Sequence, residues 1–185
     1  MAVKSEICNF GWKAIDFKLL SIDDNYYSLN ELKGKKGLLI MFICNHCPYV
    51  QAIAKKISYE TDQLNKIGVN SVAIMPNDVS EYPEDSYENM KIFAKNNLFN
   101  FHYLFDEKQI IAKSYDAKCT PDFFGFNKNL ELQYRGRLDS AGKNINQNEV
   151  KRELFNAMKQ ISISDKGPKE QFSSIGCSIK WKNNE

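Results

Sequence analysis

The sequence predicts an α/β fold in which a mixed central sheet carries helices on both faces and an N-terminal β-hairpin. Three observations support this. The apolar run at 38–44 has the unbroken hydrophobicity of a strand covered on both sides, and 69–75 reads as a second buried strand. Each is followed by a stretch with apolar residues at helical spacing. The chain has 185 residues, 43% of them apolar, so one domain spanning 1–185 can bury roughly 70% of its unfolded surface without disulfide staples or a structural metal.

The elements follow in order. Residues 15–19 and 26–29 flank Asp23-Asp24-Asn25, whose short polar side chains favour a turn, and together they read as a hairpin. A charged loop at 33–37 leads into the first buried strand. From Val50, apolar residues at Ile53, Ala54, Ile57, Leu64 and Ile67 keep helical period until Gly68 ends it. The second buried strand closes at Pro76-Asn77-Asp78. A helix is expected over 82–97, with Pro83 near its start and Tyr87, Met90, Phe93 and Ala94 on one face. A third strand at 101–105 and a short helix at 107–115 follow. Residues 122–126 and 130–134 form a second hairpin around Asn127-Lys128-Asn129, and 147–161 is the last helix. Residues 162–185, with Gly167-Pro168, read as a polar tail. Tyr26, Tyr27, Tyr82, Phe123 and Phe124 are expected in core or half-buried positions.

Several functional classes lose support at once. Lys and Arg number 25 against 23 acidic residues, and the basic residues are scattered, so no nucleic-acid footprint exists. The longest apolar run falls far short of the roughly 20 residues that span a bilayer. The N-terminal stretch has no apolar core of the secretory kind, which points to the cytoplasm. There is no GxxxxGK[ST], GxGxxG or GxSxG. Glu81, Glu84, Asp85 and Glu88 read as a solvated first helical turn favoured by the dipole.

The five cysteines are too few and too dispersed for a secreted disulfide scaffold. Cys44 and Cys47 form a CxxC where a buried strand runs into a helix. There the unpaired N–H groups of the helix end stabilise a thiolate, expected on Cys44, and Cys47, on the same helical face, can close a ring onto it. His46 stands between them, as a donor to the Cys44 thiolate or as an exposed helix residue. A zinc site needs two ligands beyond the CxxC, and only His46, Cys119 or His102 could complete it in space. Redox chemistry therefore ranks above metal binding or inert packing. Thr120-Pro121 opens a strand, and the residues alone leave the isomer of that bond open. Cys119, Cys8 and Cys177 are each packing cysteines or distant resolving thiols.

MFICNHCPYVQA, MPNDVSEYPEDSYENMKIFA, CTPDFFGF, YRGRLD and GCSIKWK together resemble a peroxiredoxin-like group of thioredoxin-fold proteins, within the alkyl hydroperoxide reductase and thiol-specific antioxidant superfamily. The resemblance implies a thioredoxin-like fold in which Pro121 is cis and packs against the dithiol. Peroxiredoxins carry Pro-x-x-x-Thr/Ser-x-x-Cys. That pattern makes Cys47 the peroxidatic position and puts Cys44 in the hydroxyl slot and Ile40 in the proline slot, two departures. The family's arginine is also missing near Thr120-Pro121, since Arg135 and Arg137 lie one strand further on. Peroxide reduction loses electrostatic help without these groups, whereas dithiol exchange needs none of them.

The leading expectation is a thiol-disulfide oxidoreductase, without a cofactor. Cys44 attacks, Cys47 resolves, His46 tunes, and Thr120 beside Pro121 pairs with a substrate strand, with Cys119 nearby. The alternative is a thiol-dependent peroxidase with Cys47 peroxidatic and Cys44 resolving, and a further one is a metal-binding protein using the same cysteines. The expected partners are a protein disulfide or a hydroperoxide as substrate and a thioredoxin or glutathione system as reductant. Neither nucleic acid nor membrane is expected as a partner, and an oligomer remains open.

Overall fold

The computed structural model describes residues 2–144 and 149–183. Its main sheet has seven strands: β2 (Lys18–Ser21), β3 (Tyr26–Ser28), β4 (Gly37–Phe42), β5 (Val69–Met75), β6 (His102–Phe105), β8 (Asp122–Asn127) and β9 (Leu132–Gly136), in the spatial order β3-β2-β6-β5-β4-β8-β9. β4, β5 and β6 run parallel; β2, β8 and the hairpin partners β3 and β9 are antiparallel to their neighbours. The mixed sheet and the two hairpins agree with the expectation from sequence.

All six residues of β4 are buried because both faces are covered. Successive side chains alternate between faces. Leu39 and Met41 pack with Ile57 and Leu64 of α3 (Ala54–Lys66), Met90 of α4 (Tyr87–Asn96), and Leu154 and Met158 of α6 (Glu153–Ser164). Leu38, Ile40 and Phe42 pack on the other side with Leu29 and Leu32 of α1 (Leu29–Leu32) and Ala112 of α5 (Ile110–Ser114). Helices thus lie on both faces. Tyr26 departs from its expected burial: it sits on the outermost strand and is 59% exposed.

Four helices differ from their expected spans, the short one expected over 107–115 being confined to α5 behind Gln109 at φ 58°. The helix expected from Val50 is broken into α2 (Pro48–Gln51) and α3, because Ile53 N–H turns back to the Val50 carbonyl and Ile53 leaves helical geometry. The one expected over 82–97 begins as a 3₁₀ turn, Pro83–Asp85, before α4. In the expected helix 147–161, residues 147 and 148 lie outside the described residues. α6 starts only at Glu153, since Ser140 N–H donates to Lys151 and Leu154 N–H to Leu138, holding that stretch alongside the preceding loop.

The segment 162–185, expected as a polar tail, finishes α6 and then forms β10 (Ile175–Ser178). β10 lies between β1 (Ala2–Lys4) and β7 (Cys119–Thr120) in a small antiparallel sheet, with Cys177 opposite Thr120 on one side and Ala2 on the other. Beyond β10, Ile179 is buried in the core, and the Lys180 carbonyl accepts from Asp78 N–H at 2.9 Å and from the Gln109 amide at 2.7 Å. These partners are distant in the chain, so a polar local composition gave no sign of the strand. Among the described residues no helix is long and apolar enough to cross a membrane.

Candidate active site

The site forms where β4 ends. Ile43 N–H still donates to the Ile74 carbonyl, and the chain then leaves the sheet through residues 44–47 before Pro48 opens α2. Neither cysteine lies within the helix: Cys47 is its N-cap, in extended conformation, and Cys44 stands in the connecting loop. The helix-end argument from sequence therefore belongs to Cys47 rather than Cys44. Both thiols are fully buried.

Opposite them stands Thr120, beside a cis Thr120-Pro121 bond. Its hydroxyl is 3.3 Å from Cys44 Sγ, and its carbonyl accepts from the Cys47 thiol at 3.0 Å. Thr120 faces the dithiol, so Cys119, its neighbour in β7, faces away. The Cys119 thiol donates to the Pro121 carbonyl at 3.4 Å, and burial, with Asp122 adding to it, pushes its pKa up. That is packing geometry. The backbone of Thr120, expected to receive a substrate strand, is already paired with β10.

The two thiols share a proton unequally. On ionisation Cys47 exchanges its bond to Thr120 for donors: foremost the Cys44 thiol, then, against burial, the thiol and N–H of Cys177 and the Val50 N–H, which together draw its pKa down to about 4. Cys44 is pushed up by its bond to the Cys47 sulfur, by deeper burial and by the nearby Asp85 carboxylate. Acidity is thus weighted toward Cys47, where the sequence led us to expect it on Cys44, because N–H groups converge on Cys47 and the carboxylate on Cys44.

Asp85 organises the loop. Its carboxylate, fully buried, accepts from Asn45 N–H at 2.7 Å, His46 N–H at 3.1 Å, the Asn77 amide at 2.8 Å and His46 Nδ1 at 2.6 Å. Of the four acids expected in a solvated turn, this one is instead a buried clamp. Its only sequence signal was membership of the MPNDVSEYPEDSYENMKIFA block. His46 spends its ring nitrogen on Asp85 and stacks on Tyr82 at 5.4 Å. Those two contacts brace the loop between the cysteines. Below, the Tyr103 hydroxyl donates to Asn45 Oδ1 at 3.1 Å. Asn45, Asn77, Asp85 and Tyr103 were all missed as site residues, and Cys177 was read only as a packing cysteine or a distant resolving thiol.

Cys44, His46 and Asp85 each offer a donor atom within 4.8 Å of the others. Both oxygens of Asp85 are already taken up by N–H donors. The other ligands considered from sequence are not brought in: His102 packs on Tyr27 with ring centroids 4.0 Å apart and tilted by 40°, and Cys119 faces away. Arg135 ion-pairs with Asp122 at 3.0 Å and lies over Phe124, and Arg137 pairs with Glu153. Neither guanidinium therefore serves the dithiol. Cys8 lies beside Gln171 and Arg135, pushed up to about 11 by burial.

A CxxC loop at the end of the central strand of a mixed sheet, facing a cis-proline, defines a thioredoxin-like fold. The chain belongs to the AhpC/TSA family, whose model matches residues 10–135. It is similar over its whole length to an uncharacterized conserved protein from Geobacillus kaustophilus, at 40% identity, TM-score 0.95 and 98% coverage of that chain. A hypothetical protein from Sinorhizobium meliloti 1021 is 33% identical, TM-score 0.92, with 98% of this chain and 99% of that one covered. The thioredoxin domain of a thiol-disulfide oxidoreductase from Bacteroides vulgatus shares the fold at TM-score 0.64 and 12% identity, over 83% of this chain and 97% of that one. No curated protein matches the sequence.

Proposed function

We propose that the protein is a thiol-disulfide oxidoreductase whose working couple is the Cys44/Cys47 dithiol and its disulfide, with Cys47 as the nucleophile and Cys44 as the resolving thiol. The observation that carries this is the convergence of both thiols on Thr120, Cys44 on its hydroxyl and Cys47 on its carbonyl, with Cys47 at the start of α2. Cys47 attacks one sulfur of a substrate disulfide and the leaving thiolate takes a proton. Cys44 then attacks Cys47 in the mixed disulfide, releasing the second substrate thiol and leaving the protein oxidised by two electrons. A thioredoxin or glutathione system in a reducing cytoplasm would return those electrons.

A second reading, thiol-dependent peroxidase, is favoured by one observation. Both sulfurs are sealed while β10 occupies the backbone of Thr120, so a small hydroperoxide fits the closed site better than a protein strand. A cleft lined by Tyr49, Ile53, Pro121, Phe123, Arg137 and Leu138 opens beside Pro121. Stopped-flow kinetics of reduced wild type, Cys44→Ser and Cys47→Ser with a model disulfide and with hydrogen peroxide separates the two. Loss of disulfide exchange on Cys47→Ser, with slow peroxide consumption throughout, supports the oxidoreductase. Fast sulfenate formation on Cys47 of Cys44→Ser moves the assignment to peroxidase. Full exchange activity in Cys47→Ser refutes both.

A further inference from the structure

Cys177 stands where the proposed function gave it no part. It lies on β10 directly opposite Thr120, the residue whose hydroxyl meets Cys44 and whose carbonyl meets Cys47. Its side chain packs on the same apolar cluster as Cys44 and Cys47, on the strand that pairs with the residue both thiols meet. The strand is seated closely: a Cβ on Gly176 would overlap the Thr120 carbonyl, so only glycine permits this approach. Exposure divides the three thiols. Cys44 and Cys47 are fully buried, while Cys177 is only partly so.

A sealed disulfide has to be reduced through something that solvent reaches. We propose that Cys177 is a third redox thiol of the site, a relay through which the buried Cys44–Cys47 disulfide exchanges electrons with thiols in solution. This inference rests on the reading of Cys44 and Cys47 as a redox couple. In the first step the Cys177 thiol, pushed up to about 11 by burial, gives its proton to the departing Cys44 as its sulfur attacks the Cys47 sulfur. The Cys44–Cys47 bond breaks, Cys44 leaves and takes up that proton, and a Cys47–Cys177 disulfide now ties β10 to the start of α2. An external thiol, as its thiolate, then attacks the Cys177 sulfur and expels Cys47. Cys47 is the better leaving group because its thiolate is already stabilised, and Cys177 is the more accessible sulfur. A second external thiol attacks the mixed disulfide on Cys177, regenerates the Cys177 thiol and departs as part of an external disulfide. Two thiols are oxidised and one protein disulfide is reduced.

The test uses full-length protein oxidised with diamide and reduced with glutathione, followed by alkylation and peptide mass spectrometry. In Cys44→Ser, oxidation is expected to yield a Cys47–Cys177 linked peptide. In Cys177→Ser, the Cys44–Cys47 disulfide is expected to form but to be reduced more slowly than in wild type by on the order of tenfold, since direct access is lost. Gly176→Ala, which pushes β10 off β7, is expected to abolish the Cys47–Cys177 peptide when combined with Cys44→Ser, and by itself to keep the Cys44–Cys47 one. A Cys177→Ser disulfide reduced at the wild-type rate, with no Cys47–Cys177 peptide in Cys44→Ser, overturns the relay and leaves the dithiol intact. Wild type that forms no Cys44–Cys47 disulfide overturns both.

Discussion

Asp85→Asn is the most revealing single change. The carboxylate accepts four hydrogen bonds while fully buried, two on each oxygen. The amide keeps one oxygen, which can still accept from the Asn45 and His46 backbones, but as a neutral acceptor. Its NH₂ then faces the Asn77 amide, donor against donor, and Asn77, only 2% exposed, has no water to turn to. An orphaned buried donor costs about 1–3 kcal/mol, and bonds to a charged acceptor exceed neutral ones by about 1 kcal/mol each. The total is about 3–5 kcal/mol, or roughly 10 °C in melting temperature for a chain of this size. Urea unfolding followed by circular dichroism, with an unchanged m-value, measures it. The substitution also removes a negative charge that holds the Cys44 proton in place, so Cys44 becomes easier to ionise. A loss below about 0.5 kcal/mol, within the range of ordinary surface changes, would refute the clamp. A double-mutant cycle of Asp85→Asn with His46→Ala should show coupling, because the two side chains share a 2.6 Å contact.

Two further outcomes follow from the same geometry. Cys47 ionises at about 4 in the folded chain, well below an unfolded cysteine, so its contribution to stability is present above the unfolded pKa and is lost as pH falls toward 4. Between pH 5 and 8, wild type minus Cys47→Ala should gain up to about 1.4 kcal/mol per pH unit. Above the unfolded cysteine pKa the raised pKa of Cys44 reverses the trend, and a flat difference from pH 5 to 8 would place the thiolate elsewhere. Arg152→Ala leaves Glu60, 8% exposed, without its two-pronged partner at 2.8 and 2.7 Å and unfastens α6 from α3. It should cost about 1–3 kcal/mol in urea unfolding, and Arg152→Lys should recover only part, since an ammonium cannot make the paired contact.

Local pattern made much of this protein legible. The apolar run at 38–44 specified β4 because a strand covered on both faces cannot alternate, and 69–75 specified β5. Asp23-Asp24-Asn25 and Asn127-Lys128-Asn129 specified the two hairpins through short polar side chains. Residues 44 and 47 had to lie close together whatever the fold, since three covalent steps separate them. The strands β1, β7 and β10 were not legible: each is short, carries no alternation, and exists only by pairing with chain far away.

Residue types and spacing thus determined, without any structure, that a dithiol sits after the central strand of an α/β sheet, and the family resemblance implied that Thr120-Pro121 belongs near it. Which sulfur carries the charge was decided in three dimensions, by N–H groups gathered on one cysteine and a carboxylate set beside the other. The same holds for Asp85 as a buried clamp and for Cys177 as a neighbour of Cys47. Electrostatic and hydrogen-bonding environments are sums over whatever the folded chain brings within a few ångströms, and no one-dimensional pattern encodes that sum.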